Sequence, residues 1–231
     1  MSKKEVLKYA FIKSLPVLCS YIFLGIAYGI LMEEAGFPWF ISMFASIVVY
    51  TGAFQFVLTT LMAAGASIVT IAVTAFLMNS RQTFYALTFM DDFNQMGRFK
   101  PFMIFSLTDE SYAVNCSLEL PGEEKRRVMR PLAVYCWLYW IAGSVAGGLI
   151  GQLLPFSMEG IDFCMTALFI IIFINQWEKS KKHTAALVGV IVGIACLVIF
   201  GEDRFMLPAL IIVSAILVFF NSRQERVVGQ Q

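Results

Sequence analysis

The sequence predicts an all-α, polytopic integral membrane helical bundle, and three observations predict it. Of the 231 residues, 59% are hydrophobic and only 14% charged, whereas soluble domains carry about 45–50% apolar and about 25% charged residues. Apolar stretches of roughly bilayer length recur along the chain, and a helix needs about 20 such residues to cross. Basic residues gather in a few short polar segments between those stretches, as the positive-inside rule describes. A globular surface must carry more charge than this, which excludes a soluble core of this size. A net charge of +1 implies no bulk attraction to nucleic acid.

The elements follow in order. Segment 15–32 comes after Lys3, Lys4, Lys8 and Lys13 and superficially resembles a signal peptide. Gly25 and Ala27 form no clear A-x-A site and further apolar segments follow, so an uncleaved first helix is expected. Segment 38–64 holds Gly52 in mid-span, where low helix propensity predicts a local break that exposes carbonyls to a cavity. Segment 67–90 contains Arg81 about fourteen residues in. Segment 102–118 is interrupted by Thr108, Asp109, Glu110 and Ser111. Segments 131–154, 163–177, 184–200 and 205–220 complete the series, the last three being short.

This gives about eight crossings with discontinuous helices, or seven if 102–118 dips in and returns. Eight crossings place the N-terminus, the loops 119–130 and 178–183 and the C-terminal tail on one side, expected to be cytoplasmic. That side then collects most of the 17 Lys and Arg residues. Arg98, Lys100 and Arg204 fall outside, and the loops 33–37 and 155–162 carry acids but no Lys or Arg. Seven crossings would flip everything after residue 118. The longest polar stretch is about a dozen residues, so a single transmembrane permease domain over 1–231 is expected.

Several chemistries are not indicated. Cys19, Cys116, Cys136, Cys164 and Cys196 make no CxxC pair and read as packing residues. His183, among Lys179, Lys181 and Lys182, reads as a solvated loop residue and builds no metal centre alone. No cofactor is expected. There is no G-x-x-x-x-G-K-[ST] loop, so the chain does not drive itself by nucleotide hydrolysis. Ser80 and Ser111 have no histidine partner, and no enzyme is expected.

Gly25 with Gly29, Gly143 with Gly147 and Gly151, and Gly189 with Gly193 recur every four residues, which allows close backbone approach in lipid. They serve either generic packing or a sliding surface. A short internal echo pairs "GILMEEAGFPWF" and "YTGAFQF" with "GGLIGQLLPF" and "IFINQW", ending at Gln55 and Gln176. It suggests a repeat, parallel on the eight-crossing map and inverted if one segment re-enters.

Charge at membrane depth is costly and persists when paired or facing water. Arg81 and the acidic pair Asp109 and Glu110 lie on adjacent segments, with Asn79, Ser80, Gln82, Thr108, Ser111 and Asn115 available as hydrogen-bonding partners. Three readings stand: a buried strut, an Arg81 that snorkels to an interface, and a site for a zwitterion. In the last, Arg81 or the N–H groups of a half-helix N-terminus hold a carboxylate. Asp109 or Glu110 then holds an ammonium group or carries a coupling proton, since a carboxyl group in low dielectric takes up a proton more readily. Tyr50, Thr51 and Gln55 at the Gly52 break add neutral polar groups, and Asn79 and Ser80 complete the substrate-binding set.

"YTGAFQF", "NSRQTFYAL", "LTDESYAV" and "DFCMTALFIIIFINQWE" together resemble the signature segments of the AzlC family, large subunits of bacterial branched-chain amino acid exporters. The resemblance runs from about Ser14 to Phe219. It implies an inner-membrane permease exporting L-valine and related amino acids, with leucine, isoleucine and methionine as further substrates. It also implies a small AzlD-type membrane partner. The competing reading is a membrane scaffold or channel subunit whose polar cluster is a structural strut.

Overall fold

In the computed structural model, residues 1–153 are described, the Arg81 side chain excepted. Beyond them the described residues are 170, 173–174, 177–178, 183–201, 205, 208–209, 211–213 and 215–216. Most of the predicted segments 163–177 and 205–220, the loop 155–162, Cys164, Gln176, Lys179, Lys181, Lys182, Arg204 and the C-terminal tail therefore lie outside the described residues. The chain divides into two compact units, one of Met1–Ala66 with Asn79–Phe156, the other of Ser67–Met78 with Ser157–Gln231. In the second unit His183 is half-buried rather than solvated, and its ring stacks on Trp177 at 4.0 Å. Helix α9 (Thr184–Phe200) follows it.

The first unit is organised by two 32-residue helices, α1 (Lys3–Glu34) and α8 (Gly122–Leu153). α1 starts at a capping box in which Ser2 Oγ accepts from Glu5 N–H and Glu5 accepts from Ser2 N–H, satisfying two orphan donors. Among the described residues these two helices are long and apolar enough to cross a bilayer. Their buried residues recur every three or four positions: Ser14, Val17, Tyr21, Gly25, Tyr28 and Met32 on α1, and Cys136, Trp140, Gly143 and Gly147 on α8.

They pack side by side and parallel. Phe11 meets Tyr135, Ser14 Oγ lies 3.0 Å from the Tyr139 hydroxyl, and Tyr21 meets Trp140. Higher up, the glycine series sets the contact. A Cβ on Gly25 would stand 3.0 Å from Gly143 Cα, and one on Gly147 would overlap the Ile26 carbonyl oxygen. Only glycine allows this approach. Gly189 and Gly193 differ, because among the described residues a Cβ there meets nothing within 4 Å.

The segment expected as a second crossing, 38–64, does not run straight through. It forms two half-length helices, α2 (Trp39–Val48) and α3 (Ala53–Ala63), each about 15 Å long, half a hydrocarbon core. α2 starts beside Gly148, where a glycine Cβ would meet Trp39 Cβ at 2.8 Å. It passes Ser144 at Ser46 and reaches Tyr21 at Tyr50. α3 then climbs back, with Phe56 beside Tyr28 and Thr59 Oγ1 3.0 Å from Met32 Sδ. The reversal is built at 50–52, where Tyr50 has φ +39° and Gly52 φ +61°, a region glycine enters freely and tyrosine rarely.

A second reversal approaches from the opposite end. α4 (Ile68–Thr88) leads into the short α5 (Met90–Asn94), then a 3-10 turn, Gly97–Phe99. α6 (Lys100–Phe105) climbs past Arg130 and Trp137 to Tyr50, through Phe99, Phe102 and Phe105 in turn. α7 (Asp109–Cys116) descends again, its Tyr112 between Tyr85 and Phe89, while Phe89 lies under Lys125 near the start of α8. Segment 102–118 thus dips in and returns, the alternative the hydropathy left open. Because 38–64 returns as well, the 119–130 cluster stays on the N-terminal side. Arg98 and Lys100, expected on the far side, lie at that same end.

Candidate functional site

The two reversals point at each other about half-way along α1. The Tyr50 ring stands 6.0 Å from Phe105 at the second tip and 6.4 Å from Tyr21. Both break positions named from sequence, the one at Gly52 and the one at 108–111, therefore belong to one place. Tyr21, which no sequence signal marked, joins them.

At the second tip, Thr108 caps α7. Its side chain accepts from Ser111 N–H, and Thr108 N–H donates to Ser111 Oγ at 2.8 Å. The Tyr21 hydroxyl donates to Glu110 Oε2 at 2.9 Å and shares a hydrogen bond with Thr108 Oγ1. Asp109 and Glu110 lie in the first turn of α7, where the helix dipole favours negative charge. Both are half-buried.

At the first tip, Gln55 is fully buried. Its Oε1 accepts from Thr51 N–H at 3.3 Å and its Nε2 donates to Ser46 Oγ at 3.4 Å. Ser46 Oγ donates onward to Ser144 Oγ at 2.7 Å. Gln55 thereby ties the hairpin's break to α8. The N-terminus of α3 carries no side-chain cap, unlike that of α7, so its N–H groups keep their capacity for an anion.

Around this tip, two buried polar atoms lack a hydrogen-bond partner among the described residues: the Thr51 hydroxyl and Trp140 Nε1. Tyr28 and Trp140 are in ring contact at 6.1 Å. Each unsatisfied buried group costs about 1–3 kcal/mol, so such atoms together mark a place for a polar guest.

Arg81 lies on α4 within the first unit; its side chain lies outside the described residues. Backbone register locates the residue: Tyr85 stacks on Tyr112 at 4.4 Å. Arg81 is one turn before Tyr85 and Asp109 nearly one turn before Tyr112, and both helices run toward the Lys125 end. Asn79 is half-buried and Ser80 exposed on the same helix.

The AzlC protein family model matches residues 16–154, which takes in α1, both hairpins and α8. The chain belongs to the AzlC family. It is 34% identical over 218 residues to the branched-chain amino acid transport protein AzlC of Bacillus subtilis, covering 94% of this chain and 86% of that one. An uncharacterized membrane protein of Helicobacter pylori is 32% identical over 222 residues, covering 96% and 97%. The inner membrane protein YgaZ of Escherichia coli is 31% identical over 192 residues, covering 78% of each. No solved structure matches the chain. With these relatives and with α1 and α8, this AzlC-family chain is an α-helical membrane protein.

Proposed function

We propose that this chain is a secondary exporter of branched-chain amino acids, L-valine first and leucine, isoleucine and methionine beside it, acting at the bacterial inner membrane. The observation that carries the reading is the meeting of two opposed hairpin tips about half-way along α1, with the uncapped N-terminus of α3 and unsatisfied polar atoms between apolar walls. Discontinuous helices of this kind are how transporters hold small charged substrates. The relative in Bacillus subtilis, named for branched-chain amino acid transport, supports the substrate class.

In this reading the substrate carboxylate rests on the α3 N-terminus and Arg81, with Tyr50, Thr51, Asn79 and Ser80 around it. Arg81 opposes Asp109 when no substrate is bound. The ammonium group takes Asp109 or Glu110. Gln55 shapes the tip through Thr51 and Ser46. Phe54, Phe56 and Phe105 offer the apolar wall a branched side chain needs. The chain acts as one permease domain beside a small AzlD-type subunit.

The N-terminus is cytoplasmic: Lys3, Lys4, Lys8, Lys13, Arg98, Lys100, Lys125, Arg126, Arg127 and Arg130 all gather at that end, while residues 31–66 contain no Lys or Arg. α1, α4 and α8 cross, and the C-terminus returns to the cytoplasm. Counterflow of labelled L-valine in proteoliposomes tests the function. Saturable uptake, competed by leucine and isoleucine, is expected; absence of any counterflow with the small subunit present overturns it. Arg81→Gln should lose flux and keep assembly. Loss of assembly instead supports the strut reading.

A further inference from the structure

We propose that Glu110, not Asp109, carries a coupling proton, and that Tyr21, Thr108 and Ser111 form a reversible hydroxyl relay that holds it in both protonation states. The inference rests on the transport reading above and adds to it the coupling ion.

The argument is a count of hydrogens. Tyr21, Thr108 and Ser111 have one hydroxyl hydrogen each. With Glu110 ionised, Tyr21 donates to Glu110 Oε2 at 2.9 Å. The Tyr21 oxygen then accepts from Thr108 Oγ1. Ser111 Oγ accepts from Thr108 N–H at 2.8 Å and donates to the Ser106 carbonyl at 3.2 Å. Every group is satisfied.

Let one proton bind Glu110. The carboxylic acid becomes the donor and Tyr21 must accept. Tyr21 turns its hydrogen to Thr108 Oγ1, and Thr108 turns its own to Ser111 Oγ at 3.3 Å. Ser111 still donates to Ser106 O. Again nothing is orphaned, and each hydroxyl keeps its own hydrogen. One proton has been added, at Glu110, and the chain of donors has reversed direction.

Such reversibility matters because a buried carboxyl group served in only one state is stranded in the other. The relay also crosses from α1 to the second hairpin tip, so the protonation state of Glu110 is felt by the elements that would have to move. Other ionisable groups at this place are Tyr50 from the first tip, Cys136 from α8 and Asp109 beside it on α7; Arg81 lies on α4. Tyr50 and Cys136 add no charge near neutral pH. Asp109 and Arg81 have opposite signs.

The full chain with its small subunit is placed in proteoliposomes containing a pH-sensitive dye. An imposed L-valine gradient should drive protons in the opposite direction, the exchange that export against an inward proton gradient requires. In Glu110→Gln, whatever valine flux remains should carry no protons and lose its pH dependence. Tyr21→Phe keeps the ring against Tyr50 and Trp140 but removes the donor, so the pH profile of flux should move upward. Thr108→Ser restores a hydroxyl and should behave as the parent, whereas Thr108→Val should resemble Tyr21→Phe.

Valine counterflow without proton movement in the parent protein overturns this inference and leaves the transport reading intact. Absence of counterflow in the parent overturns the transport reading itself. If Glu110→Gln does not assemble, Tyr21→Phe decides, and an unchanged pH profile there refutes the relay.

Discussion

Adding one methyl group at Gly147 tests the packing on which both hairpins rest. A Cβ there would overlap the Ile26 carbonyl oxygen and stand 2.7 Å from Ile26 C and Cα. Backbone cannot rotate aside as a side-chain tip can. Ordinary contact begins at 3.4 Å and the Ile26 carbonyl oxygen would stand at 2.1 Å, so α1 and α8 must separate by roughly 1.3 Å, a gap that forfeits about half or more of each contact across it. Gly25, Gly29 and Gly143 share that seam, and the Tyr21–Trp140 contact lies one turn below. We expect Gly147→Ala to cost about 1–3 kcal/mol, the usual range for overpacking. In detergent this reads as several degrees off the thermal midpoint, at about 2–4 °C per kcal/mol for a chain of this size. Gly189→Ala is the control: its Cβ meets nothing within 4 Å among the described residues, so its midpoint should hold or rise. If Gly147→Ala matches the parent while Gly189→Ala does not, the seam is misassigned.

Three further outcomes follow from the site. Gly52→Ala puts a side chain at φ +61°, ψ −105°, a strain of about 1–3 kcal/mol, and should lower valine flux with little change in expression. Gln55→Leu leaves Thr51 N–H without its acceptor and Ser46 without its donor, at about 1–3 kcal/mol; flux should fall more than for Gln82→Leu. Asp92→Asn removes a 3.4 Å ion pair to Arg126 whose side chains are about one-fifth exposed. With at most about 1 kcal/mol at stake for such a pair, flux should remain at the parent level.

Much of the fold was written in the sequence as interruptions. Gly52 and the Thr108–Ser111 capping pair broke apolar runs, and the structure breaks there. Gly25 and Gly29 read as close-packing residues and meet Gly143 and Gly147. Direction was the information the hydropathy pattern lacked. Two half-helices of 10 and 11 residues add up to the apolar length of one crossing, so length alone does not separate a pass from a return. Reading 38–64 as a pass also sent Arg98 and Lys100 to the end of the bundle opposite the one where they lie. Tyr21 left no trace because one tyrosine in an apolar helix has no local partner in sequence; Thr108 and Glu110 are brought to it only by the fold. Gln55 was legible as a polar residue at the break, but its two bonds bind the hairpin to itself and, through Ser46, to α8.

Thiol labelling in intact cells addresses the two returning hairpins directly. In a background with its native cysteines replaced, Ala35→Cys and Ala64→Cys flank the first hairpin, and Gln95→Cys and Glu119→Cys flank the second. An impermeant maleimide added outside should label positions 35 and 64 alike and reach 95 and 119 only after the cells are opened. Labelling of 35 and 64 from opposite faces of the membrane would contradict the account, since 38–64 would then pass through and the tips could not meet.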